Sequence, residues 1–186
     1  VEIMQRKVAQ GVDVRVMYDD LGSIGTYSQR NVRALQEKGI KCVPFNPLVV
    51  VSGTLNNRDH RKMLVIDGRV AYSGGVNLAD EYINRIEKHG HWKDIGFRLT
   101  GEPVQNYVRM FAEFWNAFAN DSLDVEKLCG QSEAQAPEAQ IRQAQAPEGG
   151  YVLSYYDAPF NIDPVSNNLF VELLSQATHR AWFYTP

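Results

Sequence analysis

Three side chains near the middle of this 186-residue chain can do chemistry on a phosphate diester: His60, Lys62 and Asn77. They lie in His60-Arg61-Lys62-Met63-Leu64-Val65-Ile66-Asp67-Gly68 and the Gly74-Gly75-Val76-Asn77 that follows. The imidazole is a nucleophile or a proton carrier, and the ammonium is a fixed cation. The carboxamide and the backbone beside Gly74 and Gly75 can hold charge that builds on phosphate oxygens. That defines the expected phosphate-binding set: His60, Lys62, Asn77, Gly74 and Gly75.

These groups need elements to hold them. Leu64, Val65 and Ile66 mark a buried strand, and Asp67-Gly68 is a hairpin turn signal into Arg69–Ser73. Side chains two apart on a strand share a face, so His60 and Lys62 point one way and Met63 and Val65 the other. Asp67 has the opposite parity and a charge that repels phosphate; its expected part is to brace the turn. Asn77 is placed at the start of a short helical stretch, Leu78–Ile83, where backbone N–H groups favour anions. Asn77-Leu78-Ala79-Asp80 also reads as an ordinary helix cap, and Lys62 alone as an ordinary surface lysine. The joint pattern, not any single residue, carries the chemical reading.

The composition sets limits. The apolar share is 44% and the net charge −3, with 19 Lys and Arg against 22 Asp and Glu. An acidic balance argues against a protein whose main task is gripping nucleic acid. No apolar run is long enough to span a membrane, and the opening does not read as a signal peptide. Cys42 and Cys129 lack metal-type spacing; free thiols are expected, with a disulfide left open.

In chain order, residues 1–11 read as a helix stopped by Gly11, Val12–Tyr18 as a strand, Tyr27–Lys38 as a helix stopped by Gly39, and Ile40–Phe45 as a strand. This β-loop-α-β order predicts a parallel pair with helices packed on it. Lys93–Thr100 reads as a strand. Glu102–Phe118 reads as a helix with the core stripe Val104, Tyr107, Val108, Phe111, Phe114, Trp115 and Phe118. Residues 121–150 change character: Ala-Gln-Ala-Pro-Glu occurs at 134–138 and again at 144–148, as in a low-complexity linker or mobile loop. Beyond it, Tyr151–Tyr156 reads as a strand, Asp163 to about Ala177 as a helix, and Arg180–Tyr184 as a strand.

The pattern H-x-K-x4-D with G-G-x-N resembles the HKD signature of the phospholipase D superfamily. Other stretches are similar to the bacterial cardiolipin synthases within it: Gly11–Asp20, Asn57-Arg58-Asp59 running into the motif, Asp80-Glu81-Tyr82, His91-Trp92-Lys93-Asp94, and Trp182-Phe183-Tyr184-Thr185-Pro186. The resemblance implies an α/β fold: a phospholipase D-like half with a mixed, mostly parallel sheet flanked by helices. It implies three parts: most of the first half at 1–120, the linker at 121–150, and the truncated start of a second half at 151–186. The family uses two HKD motifs in one site. His179-Arg180-Ala181 has no lysine at the second position, so the chain is expected to be a fragment with the first motif only.

The implied reaction joins two phosphatidylglycerol molecules into cardiolipin and glycerol through a phosphohistidine, without a cofactor or metal. The implied catalytic residues are His60, Lys62, Asp67, Asn77 and Asp94, the last as holder of the second imidazole nitrogen of His60. The implied partners are phosphatidylglycerol, the second HKD half and the bacterial cell membrane through parts not in this chain, with a homodimer as another arrangement; the fragment itself is expected to be soluble and inactive. Two other readings stand beside this one: a phospholipase D-type phosphodiesterase or nuclease, and a non-catalytic anion-binding half-domain. No nucleic-acid partner is expected. His89 and His91 have no cysteine or third ligand nearby to suggest a zinc site.

Overall fold

The computed structural model describes residues 1–25, 27–47, 57–88, 90–130, 152–158 and 162–182. The chain divides into two units, Val1–Ile141 and Arg142–Pro186.

The first unit opens with α1 (Glu2–Ala9), β1 (Arg15–Asp19), α2 (Gln29–Gln36) and β2 (Lys41–Phe45). β1 and β2 pair in parallel, Arg15 opposite Lys41 through Asp19 opposite Phe45. One helical connection returning the chain to a parallel neighbour is what the β-loop-α-β pattern requires. Val32 and Leu35 from α2 pack with Ile40 and Cys42, and Met4, Val8, Val14, Val16, Tyr18 and Tyr27 close this core.

A second sheet holds β3 (Lys62–Ile66), β4 (Val70–Gly74) and β5 (Gly96–Thr100), all antiparallel. The turn between β3 and β4 is formed by Asp67 at φ 53° and Gly68 at φ 66°. Two successive positive φ values suit a tight turn between twisted strands, and Asp-Gly tolerates them; the Arg69 N–H closes the turn on the Ile66 carbonyl at 3.0 Å, and the ladder resumes with Ile66 opposite Val70. So the α/β class holds, but in place of one mostly parallel sheet the described residues form two sheets: β1–β2 is parallel, and β3–β4–β5, built on the hairpin, is antiparallel.

Helix α3 (Val104–Phe118) packs on both sheets. Val104 and Val108 meet Ala71, Val65 and Leu99. Further along, the rings of Phe114 and Phe118 lie 5.3 and 4.9 Å from that of Phe45. The helical stripe read from the sequence is thus largely the core, and Trp115 is 1% exposed.

Several boundaries differ from the sequence reading. The apolar run Leu64–Ile66 is not buried on both faces: Leu64 is 55% and Ile66 42% exposed, whereas Val65 packs toward α3. A short helix α4 (Val125–Gly130) occupies part of the stretch read as linker, with Leu128 against the α3 cluster. The short helix after β4 is a 3-10 turn over Asp80–Ile83, three residues beyond Asn77. Asn77 is therefore not at a helix start, and this single turn offers no dipole for an anion.

In the second unit, helix α5 covers Val165–Ser175, within the range read as helical. Residues 152–158 form no strand. The strand expected at Arg180–Tyr184 falls partly outside the described residues, as do most of residues 121–150, Tyr151 and His89.

Candidate active site

The run that reaches the motif is held at the carboxyl ends of β1 and β2. Asp19, last in β1, accepts hydrogen bonds from the backbone N–H of Asp59 at 2.7 Å and of Gly22 at 2.7 Å, and pairs with Arg58 Nη1 at 3.3 Å. Asn46, just past β2 in a left-handed conformation, donates from its side chain to the carbonyl of Asn57 at 2.8 Å. Its own carbonyl accepts from Arg58 Nη2 at 3.4 Å. His60 emerges from this clamp, exposed and just ahead of β3.

Arg61 turns to the helix side. Its guanidinium donates to Asp59 Oδ1 at 2.8 Å and lies 4.2 Å from the centroid of the Phe114 ring. By strand alternation this leaves Lys62 on the face away from α3. Ser73 Oγ donates to the Lys62 carbonyl at 2.9 Å, and Lys62 sits opposite Gly74 in the hairpin register. The Lys62 ammonium donates to the carbonyl of His60 at 2.5 Å. Burial lowers its pKa from the ordinary 10.5, while the charges of Asp59 and then Asp94 pull it back up.

Asp94 reaches the same place from the start of β5. Trp92 Nε1 donates to its Oδ2 at 3.2 Å and the N–H of Ile95 to its Oδ1 at 2.7 Å. Trp92 is in turn gripped through its backbone by both atoms of the Asn84 carboxamide, at 2.6 and 2.9 Å, and its ring packs on Tyr82 at 4.5 Å. The two glycines are explained by contact. A Cβ on Gly75 would run into the Asp94 carboxylate, and one on Gly74 into the carbonyl of Ile95. At Gly74 the obstacle is backbone, so that position needs glycine if β5 is to approach this closely; at Gly75 a Cβ would force the Asp94 carboxylate to move from its place.

The structure therefore brings Lys62, Gly74, Gly75 and Asp94 together beside His60. It does not join His60 to Asp94: among the described residues no hydrogen bond reaches the His60 imidazole, and none reaches the Asn77 carboxamide. Asn77 follows Gly75 in the loop, its carbonyl accepting from the N–H of Ala79 at 3.0 Å. Asp67 stays in the turn at the far end of β3 from Lys62. Among the described residues no cluster of three metal-binding side chains occurs. Both cysteines are free, and burial raises the pKa of Cys42. The sequence reading missed Asp19 and Asn46; Asp19 ends β1 and Asn46 follows β2, and nothing local marks them as acceptor and donor for a segment far along the chain.

A family model described as cardiolipin synthase, PLD-like domain, matches residues 1–115. The chain belongs to that family. As members of it or beside it stand longer relatives. An uncharacterized protein of Streptococcus mutans is 39% identical over 99% of this chain and 38% of its own length. The probable cardiolipin synthase YwiE of Bacillus subtilis is 33% identical over 100% of this chain and 35% of its own. A cardiolipin synthase of Staphylococcus aureus is 39% identical over 61% of this chain and 23% of its own. The chain thus spans little more than a third of the relatives that it matches from end to end. Among the described residues, no helix of this cardiolipin synthase-type domain is long and apolar enough to cross a membrane.

Proposed function

We propose that this chain supplies the first of two HKD motifs to a longer phosphatidyltransferase that makes cardiolipin and glycerol from two phosphatidylglycerol molecules at the bacterial membrane. The observation that carries the reading is the family match across residues 1–115, which contains the whole H-x-K-x4-D and G-G-x-N signature on one hairpin and the residues that flank it. The share of the relatives that the chain covers supports a larger parent.

In this reading the reaction has two displacements. The imidazole of one motif attacks phosphorus and forms an N–P bond as the bond to the leaving glycerol breaks; the other imidazole protonates that leaving oxygen. The second imidazole then takes the proton of an acceptor phosphatidylglycerol hydroxyl, whose oxygen displaces the first from phosphorus. Lys62 and Asn77 face the phosphate oxygens, where a preorganised donor contributes about 3–4 kcal/mol in the transition state. Asp94, steadied by Trp92, holds the free imidazole nitrogen of His60 once substrate draws the two together; hydrogen bonds in unliganded sites are often longer than in the working complex. Asp67 braces the turn that sets Lys62 against Gly74. The 186-residue chain by itself is inactive, since one imidazole cannot serve both ends of an in-line displacement, unless two copies join in a dimer.

The test is formation of cardiolipin from phosphatidylglycerol by the parent protein, read by mass spectrometry. His60→Ala is expected to lower product by at least about 10³-fold, as removal of a nucleophile or its proton partner does. Equal product from both proteins would remove the assignment.

A further inference from the structure

The clamp on the run ahead of His60 is costly for a surface loop. Asp19 is a carboxylate whose side chain is only 9% exposed, and a charge so placed must be repaid by donors. Its donors come from two segments far apart in sequence. Gly22 lies in the turn that leaves β1, and Asp59 is the residue before His60. Each backbone N–H has its own carboxylate oxygen: Gly22 on Oδ1 and Asp59 on Oδ2, with Arg58 Nη1 also on Oδ1. Asn46 at the neighbouring strand end holds Asn57 and Arg58 in the same sense. The carboxyl ends of two parallel strands thus fix residues 57–59, and through them the backbone from which the His60 side chain projects.

We propose that Asp19 is a positioning residue for His60: it does not touch substrate, but sets the place of the imidazole through the Asp59 N–H and the Arg58 guanidinium. Its catalytic consequence rests on the function proposed above. A side chain misplaced by about 1 Å can cost about 10²-fold in rate, so a clamp one residue from the reacting group has a large lever.

Asp19→Asn keeps the shape but turns one oxygen into an N–H2 group. One of the two N–H donors then faces a donor, and the ion pair between Arg58 and Asp19 is lost. Exchange of the Asp59 or Gly22 amide with solvent deuterium in the 186-residue chain is expected to speed up by about 10-fold or more, as when a partly buried donor is left unsatisfied. The amides of Met110 and Ala112 in α3 should keep their rates. In the parent protein the same variant should lower kcat for cardiolipin formation by about 10²-fold with KM unchanged.

Unchanged exchange at both amides would overturn the proposal. So would an equal acceleration in α3, which marks general loosening, or loosened amides with an unaltered kcat. Where Asp19→Asn does not fold, Arg58→Gln reads the same clamp from its other side: faster exchange at Asp59 supports the clamp and an unaltered rate overturns it. His60→Ala in the parent separates the two claims. If it stays active the functional reading fails, and the exchange measurement still decides whether Asp19 holds the run.

Discussion

Lys62 shows how one residue is tuned by opposing effects. Burial on the hairpin disfavours its charged form, and Asp59 and Asp94 partly restore it. A lysine whose folded pKa is lowered binds fewer protons folded than unfolded just below its ordinary value. Its contribution to stability is complete above that value, 10.5, and is lost as pH falls through the lowered folded one. Asp94→Asn removes one of the two restoring charges, so the Lys62 pKa is expected to fall further, as read from the pH titration of its Cε signal by NMR. A rise, or no change, would mean that Asp94 does not act on this ammonium. The residue types were legible in sequence; the steric demand at Gly75 was not. It comes from a carboxylate 19 positions away that only the β4–β5 pairing brings near.

At the level of elements, β3 has two jobs on its two faces. Arg61, with Val65, seats it on α3, and this turns Lys62 to the other face. Arg61→Ala removes the Phe114 ring contact, the charged hydrogen bond to Asp59 and the contact with Met110 Sδ, a loss of about 1–2 kcal/mol in unfolding free energy by denaturant titration. If Arg61 only shields the surface, the midpoint will not move. The hairpin was readable because Asp-Gly supplies the two positive φ values such a turn needs, and α3 because its stripe repeats at helical spacing. The exposure of Leu64 and Ile66 was not readable, since a short apolar run looks the same whether one or both faces are covered. Residues 152–158 show the converse limit: aromatic and branched residues suggest a strand, but a strand exists only with a partner to pair with.

For the molecule, the fold matters because it converges distant segments on one edge. Strand ends from β1 and β2 hold the approach to His60, the β3–β4 hairpin presents Lys62 and the glycines, and the start of β5 adds Asp94. None of these elements carries the site alone. The acidic net charge of −3 leaves the cationic character of the site to Lys62 and its neighbours rather than to a basic surface. The most direct measurement of the central claim is an NMR titration of the 186-residue chain with a water-soluble short-chain phosphatidylglycerol. The His60 ring, the Lys62 Cε group and the Asn77 side-chain amide are expected to shift together along one binding curve, and Lys62→Met is expected to abolish the shift at the His60 ring and the Asn77 amide. Independent curves, or shifts confined to other parts of the surface, would contradict it.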